Sequence, residues 1–184
     1  MSTFSLAILG LISQKPRSGY DLRKVFSTTP MGHFSSSPGA IYPALKRIQE
    51  QGWITGSIEN KQTLRPRQVY RLTKKGEKAL REYLSQPVTH EDVVWHLDSL
   101  MLRFAFMGEI LGREETLRFL HDFLSEVESY VSALKQHLKA TREYMPPHGR
   151  FAMENGIEGY EVHARWARRV IKELKGRKAS QRRE

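Results

Sequence analysis

Residues 35–52 read Ser-Ser-Ser-Pro-Gly-Ala-Ile-Tyr-Pro-Ala-Leu-Lys-Arg-Ile-Gln-Glu-Gln-Gly, and both ends of this stretch mark a helix. Ser36 or Ser37 can cap it by accepting a hydrogen bond from a backbone N–H two or three residues on. Pro38 suits the first helical position, where its missing N–H costs nothing. Ile41, Ala44, Leu45 and Ile48 then fall on one helical face, and Gly52 is the natural stop. The other face carries Tyr42, Pro43, Lys46 and Gln49. Ser36, Ser37, Gly39 and Ala40 strip the leading end of bulk. A helix with a small, polar N-terminus and a basic shoulder can press its end against a polyanion.

The charge of the chain supports that reading. Its 184 residues carry a formal net charge of +10, and the excess is uneven. Residues 1–87 hold fourteen Lys and Arg against five Asp and Glu; residues 88–184 hold sixteen against fifteen. A strongly basic first half and a nearly neutral second half imply one module facing a polyanion and one with another task. The chain has no cysteine, which excludes disulfides and thiolate metal sites. No basic segment precedes the apolar run at the start, and no apolar run approaches the ~20 residues of a bilayer span. The expectation is a cytoplasmic protein that makes no use of a membrane.

The elements around the 35–52 helix complete a pattern. Phe4, Leu6, Ala7, Ile8, Leu9, Leu11 and Ile12 form a short buried helix that Ser2 or Thr3 can cap. Lys15, Pro16 and Arg17 read as a turn. Ser18 and Asp21 then resemble a capping box at the start of a second helix, with Leu22, Val25 and Phe26 inward. Residues 27–34, with Pro30 and Gly32, form a loop. After Gly52, residues 53–58 and 65–72 make two short strands joined by a basic, polar tip. Thr73 caps a further helix. Helix, helix, helix, hairpin, helix is the order of a winged helix-turn-helix unit, whose second paired helix enters the major groove.

The ordered set Leu9-Gly10-Leu11, Ser18-Gly19-Tyr20-Asp21-Leu22, Ser37-Pro38-Gly39-Ala40-Ile41-Tyr42-Pro43-Ala44-Leu45, Gly52-Trp53-Ile54 and Arg65-Pro66-Arg67-Gln68-Val69-Tyr70-Arg71-Leu72-Thr73 resembles the PadR-like transcriptional regulators over residues 4–85. Leu64 stands where that family usually has glycine before the Arg-Pro of the second wing strand. The fold class expected is mainly α: a winged helix-turn-helix domain with a two-stranded β-wing, plus a C-terminal α-helical dimerisation domain. Candidate DNA contacts are Ser37, Gly39, Tyr42, Pro43 and Lys46 on the reading helix, Tyr20 and Lys24 on the helix before it, and Lys61, Arg65 and Arg67 on the wing. Pro43 removes one helical hydrogen bond and crowds the carbonyl of Gly39, so an irregular first turn is expected.

The second half reads as helices. Residues 99–107 are apolar nearly all round, with Arg103 the exception and Gly108 and Gly112 bracketing the end. Leu117, Leu120, Leu124, Val127, Val131, Leu134 and Leu138 recur at spacings of three and four from about residue 114 to 141. Residues 145–149 break that helix, and Ile157, Tyr160, Ala164, Ala167, Ile171 and Leu174 repeat the spacing in a last one. The candidate homodimer surface comprises Leu100, Phe104, Leu117, Leu124, Val131, Tyr160, Ala164 and Ile171. Residues 1–87 are thus expected to bind DNA, residues 88–175 to dimerise and to respond to an effector, and residues 176–184 to form a basic, flexible tail.

The resemblance implies a dimeric repressor of a pseudo-palindromic operator in double-stranded DNA, released by a small aromatic compound. Trp95, Phe106 and Trp166, with Phe104 and Tyr160, are the candidate lining for such a ligand. No cofactor or metal is implied: the seven His residues show no HExxH spacing, and there is no Gly-x-Ser-x-Gly, P-loop or dinucleotide fingerprint. The chain is therefore read as a regulator and not an enzyme. The alternative is a protein-interaction adaptor on a winged-helix scaffold, against which the basic first half speaks.

Overall fold

The computed structural model describes residues 1–29, 31, 37–59 and 67–180, with side chains through residue 176. The chain divides into two compact units, residues 1–86 and 87–184.

The first unit runs α1 (Thr3–Gln14), β1 (Arg17–Ser18), α2 (Gly19–Thr28), α3 (Pro38–Glu50), β2 (Ile54–Glu59), β3 (Arg67–Leu72) and α4 (Lys74–Leu84). Local chemistry sets the starts of its helices. The hydroxyls of Ser2, Ser18, Ser37 and Thr73 accept from the N–H groups of Ser5, Asp21, Gly39 and Gly76. The Ser18–Asp21 capping box is complete, because the Asp21 carboxylate accepts from both the N–H and the hydroxyl of Ser18, at 3.0 and 2.7 Å. The core is built from Leu6, Ile8 and Leu9 of α1, Leu22 and Phe26 of α2, the inward face of α3, and Leu80 and Leu84 of α4, all buried.

The wing holds one strand more than expected. Arg17, read as part of a turn, pairs with Tyr70 while Ser18 pairs with Val69, giving an antiparallel sheet in the order β1-β3-β2. Two residues are too few to show alternation, so this strand exists only through its partner. The β2–β3 pairing runs from Ile54↔Leu72 to Glu59↔Arg67. Lys61, Leu64 and Arg65 lie outside the described residues.

The second unit contains α5 (His90–Trp95), α6 (Leu97–Ile110), α7 (Arg113–Thr141) and α8 (Pro147–Ser180). Helix α5 has no counterpart in the sequence reading, although a capping box of Thr89 and Asp92 marks its start. Helix α6 passes through Gly108; the left-handed residue is Gly112, with φ of 82°, just before α7. The buried face of α7 is turned from the expected stripe. Thr116, Phe119, Leu120, Phe123, Val127 and Val131 are buried, whereas Leu117 and Leu124 are half-buried. Phenylalanines take that face instead of the leucines: the Phe123 ring meets Trp166 and His163 of α8, and the Phe119 ring stacks on Phe104 of α6. Helix α8 starts at Pro147, inside the expected break, and its backbone is helical through Ser180, across the start of the stretch expected as a tail. Among the described residues no helix is long and apolar enough to cross a membrane.

Candidate nucleic-acid interface

Helix α3 divides cleanly. Ile41, Ala44, Leu45 and Ile48 are fully buried against the first unit's core. Ser37, Pro38, Gly39, Tyr42, Pro43, Lys46 and Gln49 are exposed on the opposite side. The first turn is regular, with the N–H groups of Ala40 and Ile41 both donating to the Ser37 carbonyl at 3.0 and 3.1 Å. The helix runs unbroken through Pro43, so the expected irregular turn is absent. Its far end closes on Gly52, at φ of 72°. Lys46 is 80% exposed, and its ion pair with Glu50, 3.9 Å long and one turn away, is too weak to hold the ammonium back.

Three of the sequence candidates come together at the start of α2. Tyr20 is 59% exposed, and the exposed Arg67 guanidinium lies 5.9 Å from its ring centroid. Tyr42, 52% exposed, lays its ring edge on Gly19. Lys24 is exposed one turn further along α2. Behind them Tyr70 is buried, and burial, with the Tyr42 phenol beside it, raises the pKa of its hydroxyl. Burial works against the charge of Asp21. The hydrogen bonds from Ser18, with Arg67 and Arg17 nearby, outweigh it and hold the carboxyl below its ordinary range.

Other basic groups are tied down. Arg71 donates to Glu59 at 2.6 Å and to Ser57 at 2.9 Å across the β2–β3 pair, and Arg17 donates to the Leu11 carbonyl at 3.0 Å. These arginines brace the sheet. Lys15, Asp21, Glu59, Arg67 and Arg71 line an open groove of about 380 Å³ on its outer face.

In the helical unit Leu100, Val131, Ala164 and Ile171 are buried within the unit's own core, while Phe104, Leu117, Leu124 and Tyr160 are only half-buried. Trp166 meets Phe104 edge-on at 5.0 Å and Phe123 at 6.0 Å. Phe106 is buried, whereas Trp95 is 74% exposed and stands apart from that packing. Arg103, the exception in the apolar 99–107 stretch, is buried with its guanidinium 5.2 Å from the centroid of Phe119. Among the described residues no group of His, Asp and Glu is placed to hold a metal ion.

His163 lies against Phe123 and Tyr160, and burial lowers its pKa against the opposing pull of Asp98. Above the ordinary value of 6.5 the imidazole is neutral in both folded and unfolded chains. As pH falls, the unfolded chain binds the proton first, so stability is full above that value and declines through the folded pKa. Urea midpoints of the helical unit should fall between neutral and mildly acidic pH, and His163→Phe should flatten that dependence. An unchanged slope in the variant would contradict the assignment.

Residues 8–82, nearly the whole first unit, match the family described as Transcriptional regulator PadR-like family. Over that range the chain is similar to the PadR-like family. The PadR-like match agrees with the winged-helix order of α2, α3, β2 and β3. The chain is also 26% identical over 180 residues to the negative transcriptional regulator PadR of Bacillus subtilis, covering 93% of this chain and 97% of the relative. It is 42% identical over 50 residues to the transcriptional regulator YqjI of Escherichia coli, covering 27% and 24%. Among solved structures, Bacillus subtilis PadR in complex with operator DNA aligns over 94% of this chain and 99% of that one, at 25% identity and a TM-score of 0.43. The same protein in complex with p-coumaric acid aligns over 94% and 96%, at 23% identity and a TM-score of 0.39.

Within the first unit, the sequence reading assigned no role to Gly19. The signal for it is weak: glycine at the first position of a well-capped helix, where most residues are tolerated. Its role shows only when Tyr42, from the next helix, is seen lying on it.

Proposed function

We propose that the chain is a dimeric, sequence-specific DNA-binding repressor acting in the cytoplasm, with α3 seated in the major groove. The division of α3 carries this reading: one side is fully buried, and the other presents small, polar and basic residues from the basic half of the chain. Ser37, Gly39 and the first N–H groups approach phosphate and base edges. Tyr42 donates its hydroxyl to a phosphate, Pro43 shapes the docking end, and Lys46 reaches a base edge from the side. Tyr20 and Lys24 flank the backbone. Lys61, Arg65 and Arg67 follow the neighbouring groove from the wing.

Residues 1–87 form the DNA module in this reading, and residues 88–175 the dimer and effector module. The half-exposed Phe104, Leu117, Leu124 and Tyr160 supply the surface for a second copy, with Leu100, Val131, Ala164 and Ile171 packed behind them. A two-fold dimer places two α3 helices on a pseudo-palindrome with half-sites ~34–36 Å apart. The crystallised complex of Bacillus subtilis PadR with p-coumaric acid supports a small aromatic effector, for which the edge-on pair of Phe104 and Trp166 offers matching chemistry.

Lys46→Ala should weaken binding to a duplex selected by the parent chain far more than binding to a mixed-sequence duplex. Arg65→Ala should weaken both alike and flatten the slope of log affinity against log salt by about one unit. Parental binding by both variants at low and high salt would contradict the roles.

A further inference from the structure

Gly19 occupies the first helical position of α2, directly after its Ser18 cap. Its backbone does not need glycine, since among the described residues only Gly52 and Gly112 adopt positive φ. Its value is space. A Cβ at this position would stand 2.6 Å from Cε1 of Tyr42, 3.1 Å from Cζ and 3.3 Å from the hydroxyl oxygen. The outer edge of the phenol ring therefore rests on bare backbone at the start of α2. Tyr42 comes from α3, so this contact joins the two helices of the helix-turn-helix pair.

The ring has little room to retreat. In a helix χ1 is held to two wells, and the remaining torsion only spins the ring. Behind it the buried Tyr70 phenol lies close enough to feel Tyr42 electrostatically. In front, Tyr42 remains 52% exposed, and Tyr20, the residue after Gly19, carries the Arg67 guanidinium 5.9 Å from its ring. The seat on Gly19 thus fixes where the Tyr42 hydroxyl leaves the surface, and it leaves at a cationic rim.

We propose that Gly19 is a positioning residue for DNA binding: its missing side chain seats Tyr42 so that the hydroxyl meets a phosphate. The proposal rests on the reading of α3 as the DNA-facing helix. Ring spin can clear Cε1 but not Cζ and the hydroxyl oxygen, which lie on the spin axis 3.1 and 3.3 Å from an added Cβ, so an alanine at position 19 displaces the ring by a few tenths of an ångström or opens the angle between α2 and α3. Both move the hydroxyl. Because a phosphate contact is independent of sequence, the effect should appear on any duplex.

The test is a double-mutant cycle with a fluorescein-labelled, mixed-sequence DNA duplex at low salt, read by anisotropy, using the full chain. Gly19→Ala and Tyr42→Ala should each weaken binding by about tenfold, as expected for one hydrogen bond to a charged group. The double variant should bind no worse than Tyr42→Ala alone. Its melting temperature should equal or exceed that of Tyr42→Ala, because alanine is the better helix former. Parental binding by Gly19→Ala, with loss in Tyr42→Ala, would overturn the proposal and leave the DNA reading standing. So would a Gly19→Ala loss that persists undiminished when Tyr42 is already alanine. Absence of duplex binding by the folded parent chain would overturn both.

Discussion

Gly76→Ala should lower the stability of the first unit by about 3 kcal/mol, in spite of alanine's better helix propensity. Gly76 is buried in the first turn of α4, and a Cβ there would collide with the Trp53 backbone carbonyl. That carbonyl cannot yield, because it accepts from the Thr73 N–H at 3.0 Å. The Thr73 hydroxyl meanwhile donates to the Gly52 carbonyl at 2.6 Å and accepts from the Gly76 N–H at 3.0 Å. The start of α4 thus clamps the backbone that leaves α3. Relief of the clash means moving either the end of α3 or the first residues of β2. Thermal unfolding followed by circular dichroism should show a fall of roughly 10–20 °C. A melting temperature equal to the parent's would show that the clamp is looser than described.

Phe123→Ala should cost the helical unit about 3–5 kcal/mol. The side chain is 0% exposed and sits midway along α7. Its ring stacks on Phe119 at 6.3 Å and meets Trp166 and His163 edge-on at 6.0 and 6.4 Å. Truncation removes the ring that α7 and α8 share and leaves a cavity among large, stiff aromatics that collapse poorly. Urea unfolding read by Trp166 emission should show the lower midpoint, with a red-shifted native spectrum as water reaches the indole. Phe123→Leu should recover more than half of the loss. Equal midpoints for Phe123→Ala and the parent would place the core of this unit elsewhere.

Much of this architecture was legible because the deciding chemistry is local. Ser2, Ser18 with Asp21, Ser37 with Pro38, and Thr73 each announce a helix within four residues, and each cap is present. The buried face of α3 followed from spacing alone. What escaped depends on partners distant in sequence. Strand β1 is two residues long and is a strand only because β3 lies beside it. The turned face of α7 reflects the volume of Phe119 and Phe123, which a pattern scored by polarity treats like leucine. Arg103 looked like a break in an apolar surface, yet a ring from the next helix receives its guanidinium. Tyr42 stood out by its place on α3, but its seat on Gly19 has no local signal. The candidate site was legible as a surface, through charge and the bare end of α3, but not as a geometry.

A DNA-reading α3 is tested most directly by selection from fragmented genomic DNA with the full chain. It predicts enrichment of a few fragments that share an inverted repeat with half-centres about one helical turn apart, held less tightly as salt rises. A folded chain that retains no fragment above bulk DNA at any salt concentration would contradict it.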